Sequence, residues 1–303
     1  MELNELGDSG VRVSRVGLGC NNFGWRIDGD ATRAVVDAAL DAGVTFFDTA
    51  DIYGDKGGSE RLLGTILQGR RDRVVLATKF GKEMGDGATS RGSAAYVRRA
   101  VDASLGRLQT DHVDLYYMHE PDPGTPIAET LGALDELVRA GKVRALGCSN
   151  FSAAQLAEAD RVAREQGLAR FVALQNHYSL LERGDDAEVL PLCRELGVAY
   201  VPYFPLASGL LTGKVRRGET GPAGSRLAGR SFDDETFDRV EAFERFAASR
   251  GRTLLDLAVS ALASTPGVAS VIAGATRPEQ VRANAAAGGW QLSGAELAEL
   301  ARL

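Results

Sequence analysis

Val74-Val75-Leu76-Ala77-Thr78-Lys79 is the stretch on which the fold turns. A short run rich in β-branched and small apolar residues reads as a buried strand, yet this one ends on an ammonium group. Two more runs have the same form. Val44-Thr45-Phe46-Phe47 leads into Asp48 and, after a short turn, Tyr53; the run from Val113 to Met118 leads into His119. Polar groups at the ends of successive buried parallel strands usually belong to one site, because α/β sheets and barrels place their ligands there. An acid, a phenol, an amine and an imidazole gathered on one rim make a proton-transfer device.

Outward from these three runs the chain alternates steadily. A hairpin-like start (residues 3–6 and 11–13 around Gly7-Asp8-Ser9-Gly10) precedes a first strand, Val16-Gly17-Leu18-Gly19-Cys20. Helical periodicity over residues 30–41 ends at Gly43, and further helices are expected over 59–68, 93–108, 127–140, 152–165, 187–196 and 254–264. Ser93 and Ser152 stand where N-caps belong, and Pro278 opens a last helix. Strands over 143–148, 171–174, 198–203 and 268–273 complete about eight strands with crossovers long enough for parallel pairing. The expectation is a single (β/α)8 barrel domain over residues 1–303, with an N-terminal hairpin. A doubly wound sheet would need a dinucleotide fingerprint after the first strand, but Asn22 of Gly17-Leu18-Gly19-Cys20-Asn21-Asn22 stands where the third glycine belongs. The stretch from Gly209 to Lys214 fails as a phosphate loop, being too short and followed by Val215.

Composition narrows the function. The chain has 303 residues, a net charge of −6 and 44 % hydrophobic residues, enough for a large core. An acidic chain without a basic cluster argues against nucleic acid and anionic membranes as partners. Cys20, Cys148 and Cys193 are far apart and form no CxxC pair, which points to a reducing compartment and buried thiols. The first ten residues have no apolar signal core, and no apolar run approaches the ~20 residues of a membrane span. A soluble cytoplasmic protein is expected. Gly-rich loops at 51–58 and 84–92 follow strand ends. A longer one at 206–234 carries Lys214, Arg216, Arg217, Arg226 and Arg230, a basic content that suits a clamp over a phosphorylated ligand.

The segments Phe47-Asp48-Thr49-Ala50-Asp51-Ile52-Tyr53-Gly54 and Gly141-Lys142-Val143-Arg144-Ala145-Leu146-Gly147-Cys148-Ser149-Asn150-Phe151 resemble signatures of the aldo-keto reductase superfamily. Gln175-Asn176-His177-Tyr178-Ser179, the run from Pro205 to Lys214 and the run from Gly274 to Asn284 are similar to further blocks of that family, in the right order along the chain. The resemblance implies a (β/α)8 barrel that reduces carbonyl groups with NADPH and has no Rossmann domain.

By the same resemblance Tyr53 is the general acid, Lys79 lowers its pKa, Asp48 holds the lysine and His119 orients the carbonyl oxygen. The nicotinamide brings the hydride, so no metal is called for. Ser149, Asn150 and Gln175 match residues that hold the carboxamide, and Tyr203 matches the aromatic that stacks on the ring. Leu206, Ala207, Gly209 and Lys214 resemble the belt over the pyrophosphate. Gly274, Thr276, Arg277, Gln280 and Asn284 match the adenosine site, with Arg277 toward a 2′-phosphate. Asn22, Phe23, Trp25 and Phe80 are expected to form an aromatic-walled substrate pocket. The partner is then a small carbonyl compound or a sugar, and NADH is a possible second cofactor. The chain is compatible with a monomer or a homo-oligomer. Two alternatives are an NAD(P)-linked sugar (aldose) 1-dehydrogenase and a cofactor-binding redox-sensing regulatory subunit.

Overall fold

The computed structural model describes residues 1–221 and 224–303. A hairpin of β1 (Leu3–Glu5) and β2 (Arg12–Ser14) comes first. Among the described residues, eight parallel strands follow: β3 (Val16–Gly19), β4 (Phe46–Asp48), β5 (Val75–Phe80), β6 (Val113–Met118), β7 (Val143–Ser149), β8 (Phe171–Gln175), β9 (Ala199–Tyr200) and β10 (Val271–Gly274). Their order is β10-β3-β4-β5-β6-β7-β8-β9. The ends meet, because Tyr200 N donates to Gly267 O (2.8 Å) and Ile272 N donates to Pro202 O (3.1 Å). The fold is a (β/α)8 barrel.

Helices cover the outside: α1 (Gly29–Asp41), α2 (Tyr53–Ile66), α3 (Ala94–Leu108), α4 (Ile127–Arg139), α5 (Ala153–Gln166), α6 (Val189–Leu196), α7 (Asp234–Ala248), α8 (Leu254–Ala263), α9 (Pro278–Ala287) and α10 (Gly294–Leu300). Ser152 caps α5 in a reciprocal box with Gln155, and Pro278 occupies the first turn of α9. Ser93 precedes α3 but does not cap it. Its hydroxyl donates to Ser90 O, and Glu129 of α4 accepts from Ala94 N instead (2.9 Å). Helix α7 extends the expected set. Phe237, Val240, Phe243 and Ala247 are its buried stripe, at a spacing the sequence shows plainly once the basic loop is seen to stop at Asp233.

Period-two alternation divides the strand residues between two cores. Phe46, Ala77, Leu115, Tyr117, Ala145, Ala173, Ala199 and Ile272 fill the barrel, and Leu6 and Val13 of the hairpin join that cluster. Phe47, Leu76, Phe80, Tyr116, Met118, Leu146, Cys148, Leu174 and Tyr200 face outward, into the layer beneath the helices. The inward phase at the carboxyl ends then reaches Asp48, Lys79, Ser149 and Gln175. The fold therefore presents the polar residues of different strands on one rim.

Gly147 of β7 makes room for the ring of Tyr117. A Cβ there would stand 2.4 Å from Tyr117 Cε1 and 3.1 Å from Ala173 O. We predict that Gly147→Ala lowers the unfolding free energy by about 1–3 kcal/mol through overpacking. A urea midpoint unchanged from wild type would show that the barrel interior yields there without strain.

Candidate active site

Lys79 lies on β5 with its side chain inside the barrel and is 0 % exposed. Its Nζ donates to Asp48 Oδ1 at 2.5 Å and to Thr49 O at 2.8 Å. The other oxygen of Asp48 accepts from Gln175 Nε2 (2.9 Å), so the ion pair is tied across the barrel from β4 to β8. Burial alone would push the Lys79 ammonium down; Asp48 and Tyr53 outweigh it and the net direction is upward. The lysine is a fixed positive charge at neutral pH.

Tyr53 follows Asp48 by one short turn, with its backbone N–H on Ala50 O (3.1 Å). The Lys79 ammonium is 5.1 Å from the centre of its ring, and the His119 ring meets it edge-on at 5.8 Å. The turn needs Gly54. This residue has φ +67°, and a Cβ would approach Phe23 O to 2.4 Å. Burial pushes the Tyr53 phenol above its usual value of 10, and Asp48 adds to the rise. Lys79 pulls the other way without prevailing. The expected lowering by Lys79 is present but does not prevail, because removing the phenolate from water outweighs one nearby charge.

His119, just beyond β6, is held well below its ordinary 6.5 by burial and by the charges of Lys79 and Lys82. It is neutral. Its Nδ1 is buried without a hydrogen-bond partner among the described residues. Since His119 lines the cleft, Nε2 is the nitrogen with access to it.

The cleft over this rim has a volume of about 1500 Å³. Ser149, Asn150, Gln175 and Tyr203 line one part and are mutually linked. Ser149 Oγ donates to Gln175 O (2.6 Å), Asn150 Nδ2 to His119 O (2.9 Å), and Tyr203 Oη to Asn150 Oδ1 (2.8 Å). Leu206, Gly209, Lys214, Gly274, Thr276, Arg277, Gln280 and Asn284 line it further along, as do Trp25 and Asn22, whose Nδ2 donates to Ala275 O (3.1 Å) beside Gly274. Asn150, Phe204, Ala207 and Ser208 all have positive φ (60°, 56°, 46° and 60°), a strained setting concentrated around this cleft.

Three expected residues lie elsewhere. Phe80 follows Lys79 and so faces outward, fully buried and stacked on Tyr116. Phe23 is likewise buried in the outer core. Ala207 packs against that core rather than lining the cleft. In the basic loop, Arg216 and Arg217 turn away to the acids of α7 (Glu244; Asp234, Asp238 and Glu241). Arg226 does reach the cleft. Its guanidinium donates to Asn21 Oδ1 (2.8 Å) and Asn22 Oδ1 (2.9 Å) and lies 5.3 Å from the Phe204 ring. Phe204 and Arg26 are further cleft residues outside the expected set. Phe204 had a signal in the sequence, since it directly follows Tyr203 at a strand end.

A (β/α)8 barrel with this charged, desolvated rim below a long cleft places the chain among the barrel oxidoreductases. The chain belongs to the Aldo/keto reductase family, whose sequence profile matches residues 15–303. It is similar to an uncharacterised oxidoreductase of Bacillus subtilis (strain 168), YrpG, at 40 % identity over 294 residues, covering 93 % of this chain and 89 % of the relative. It is also similar to a protein of Oryza sativa subsp. japonica named "Probable voltage-gated potassium channel subunit beta" (37 % over 298 residues; 94 % and 90 % covered). The aldo-keto reductase YhdN of B. subtilis is 35 % identical over 306 residues (97 % and 90 % covered).

Lys79→Met should leave the Asp48 carboxylate buried without its counter-charge, a change that costs about 3–5 kcal/mol of stability in comparable pairs. It should also raise the Tyr53 pKa further, since the one charge pulling it down is gone. Urea unfolding measures the first effect. The alkaline tyrosinate spectrum, taken as the difference from a matching Tyr53→Phe protein, measures the second. A Tyr53 that ionises below pH 10 in the unmutated protein would contradict the dominance of burial.

Proposed function

We propose that the chain reduces aldehydes or ketones to alcohols with NADPH, Tyr53 giving the proton. The observation that carries this reading is the buried Lys79 ammonium, fixed by Asp48 and Thr49 beside the Tyr53 ring. Bound NADPH supplies a hydride to the carbonyl carbon. What the chain must add is a proton for the oxygen and a donor that fixes that oxygen beforehand. Tyr53 Oη is the proton source, and Lys79 stabilises the phenolate left behind. His119, neutral, donates Nε2–H to the carbonyl oxygen and orients it.

The donor set fits the cofactor. Ser149, Asn150 and Gln175 bring a hydroxyl and two amides to the barrel mouth, as a carboxamide requires. Lys214 and Arg277 are exposed cations on the same cleft, with no acid partner among the described residues. Phosphate groups suit both. Arg277 is the residue we assign to the 2′-phosphate. Gln280 Oε1 accepts from Thr276 N (2.7 Å) and holds the turn that carries Arg277. Trp25 and Phe204 are the aromatic residues of the cleft assigned to the substrate.

A second reading, a cofactor-binding regulatory subunit, draws on the likeness to the plant protein named as a probable channel subunit. Oxidation of a sugar at its anomeric carbon would run the same chemistry in reverse. Titration with NADPH and NADH, followed by absorbance screening of aldehydes, ketones and sugars, separates the three. Tight NADPH binding without turnover of any of them would favour the regulatory reading.

Tyr53→Phe is expected to bind NADPH normally while losing at least ~10²–10⁴-fold in kcat. Lys79→Met should lose comparably, and the double variant should be hardly worse than either single one, because the two groups act as a unit. Steady-state kinetics of the three proteins decide this, and additive losses would mean independent roles. Arg277→Ala should weaken NADPH binding roughly ten- to a hundred-fold, matching a charged hydrogen bond of about 1.5–3 kcal/mol, and leave NADH almost unchanged. Equal losses for the two cofactors, read by fluorescence titration, would show that Arg277 binds something other than the 2′-phosphate.

A further inference from the structure

Behind Tyr53, on the helix side of the sheet, lies a second polar cluster that the proton transfer above leaves unused. Lys79 faces into the barrel, so Thr78 faces outward, as does Tyr116 on β6. In the same layer sit Asp51 and Glu60, 2 % and 0 % exposed. Glu60 is fully engaged. Its Oε1 accepts from Thr78 Oγ1 and its Oε2 from Arg107 Nε, both at 2.5 Å. Among the described residues, Asp51 Oδ1 is buried and accepts no hydrogen bond, and the nearby Tyr116 hydroxyl is also unpaired. Lys79, the other cation within reach, is committed to Asp48 and Thr49.

Two buried carboxyl groups thus lie near one guanidinium that pairs with Glu60 and reaches Asp51 only through its charge, and ionising both is unfavourable. Burial, and then the charge of Glu60, lift Asp51 to about 7, while Arg107, the Ile52 N–H and Lys79 pull it down. The titratable groups facing Asp51 are Glu60 from α2, Arg107 and Tyr96 from α3, Tyr116 from β6 and Lys79 from β5. Burial pushes both tyrosines upward, Tyr96 to about 12, so neither ionises near neutrality.

We propose that Asp51 is a positioning residue for Tyr53: its buried carboxyl group, near Glu60 and with no ion pair of its own among the described residues, must carry a proton for the turn to hold Tyr53 in its reactive setting. This rests on the reading of Tyr53 as the acid. The coupling runs through a very short piece of backbone. Asp51 N donates to Lys79 O (3.0 Å), Tyr53 N donates to Ala50 O (3.1 Å), and only Ile52 separates the two side chains. When Asp51 releases its proton to solvent, the new carboxylate is drawn toward water. That displacement pulls on the hydrogen bonds that seat Tyr53.

The test uses the full chain as wild type, Asp51→Asn and Glu60→Gln. At saturating NADPH and carbonyl, wild-type kcat should fall as pH rises through about 7, about tenfold for one further pH unit, with the KM for NADPH unchanged. Asp51→Asn, neutral at every pH, should lose that fall and keep the low-pH rate. Glu60→Gln removes the neighbouring negative charge and should move the fall to lower pH. The sign for stability follows. A carboxyl raised in the folded state makes the fold less stable once pH exceeds the unfolded value, and fully so above about 7. Asp51→Asn should therefore raise Tm relative to wild type at pH 8 more than at pH 5. The near-ultraviolet circular dichroism of Tyr53, taken against Tyr53→Phe, should change between about pH 6 and 8 in wild type and stay constant with Asp51→Asn. That readout needs no turnover, so a protein that reduces no carbonyl defeats the reductase reading while the dichroism still decides on Asp51. A dichroism signal or kcat profile that is identical in wild type and Asp51→Asn overturns the proposal.

Discussion

The structure depends on one buried ion pair. Removing an ammonium and a carboxylate from water is unfavourable by several kcal/mol each unless geometry and further hydrogen bonds compensate. Lys79 and Asp48 meet that demand through Thr49 O and the Gln175 amide. The demand spreads outward. Asp48 must end β4, Lys79 must near the end of β5, and Gln175 must end β8 directly across the barrel. A polar pair at the centre of a closed sheet is tenable only because strands from opposite sides supply its contacts.

Strand parity turns that requirement into a site. One residue in two faces the barrel, so the carboxyl-end layer draws a polar side chain from several strands without any of them crossing the apolar layer below. The hairpin residues Leu6 and Val13 belong to the same interior cluster. The helical layer outside takes the alternate residues, which are apolar almost throughout. Among the exceptions, Thr78 and the hydroxyl of Tyr116 lie beside Asp51 and Glu60, while Asp114 of β6 and Arg144 of β7 pair with each other (2.8 Å).

Much of this was legible in the sequence. Alternating runs and their polar ends are local signals, and they give the barrel, its strand order and the residues Asp48, Tyr53, Lys79 and His119 at the rim. What was not legible depends on phase or on opposing free energies. Phe80 looked like a pocket aromatic because it ends a strand, but counting from Lys79 puts it on the helix side. Arg216 and Arg217 have the composition of an anion clamp, and only the fold brings the acids of α7 within their reach. Ser93 has the residue type of a cap, yet Glu129, distant in sequence, supplies the acceptor. The pKa of Tyr53 is the subtlest case. A lysine on the neighbouring strand predicts a downward pull, and the pull exists, but burial is a property of the packed barrel that no motif encodes.

That balance also bears on how such a site can work. In the proposed reduction, a tyrosine whose proton is held tightly does not leak charge into a desolvated cavity, and the lysine beside it would meet the phenolate left by proton transfer. On that reading the favourable interaction would be larger after proton transfer than before it, which is the condition for a charge to accelerate a reaction rather than merely to bind. Preorganisation of this kind requires that Lys79 have no competing anion to move toward. On the barrel side Asp48 holds it. On the helix side Asp51 meets the lysine only through its charge, and a protonated Asp51 would leave Asp48 as the one acidic partner that fixes the lysine's position.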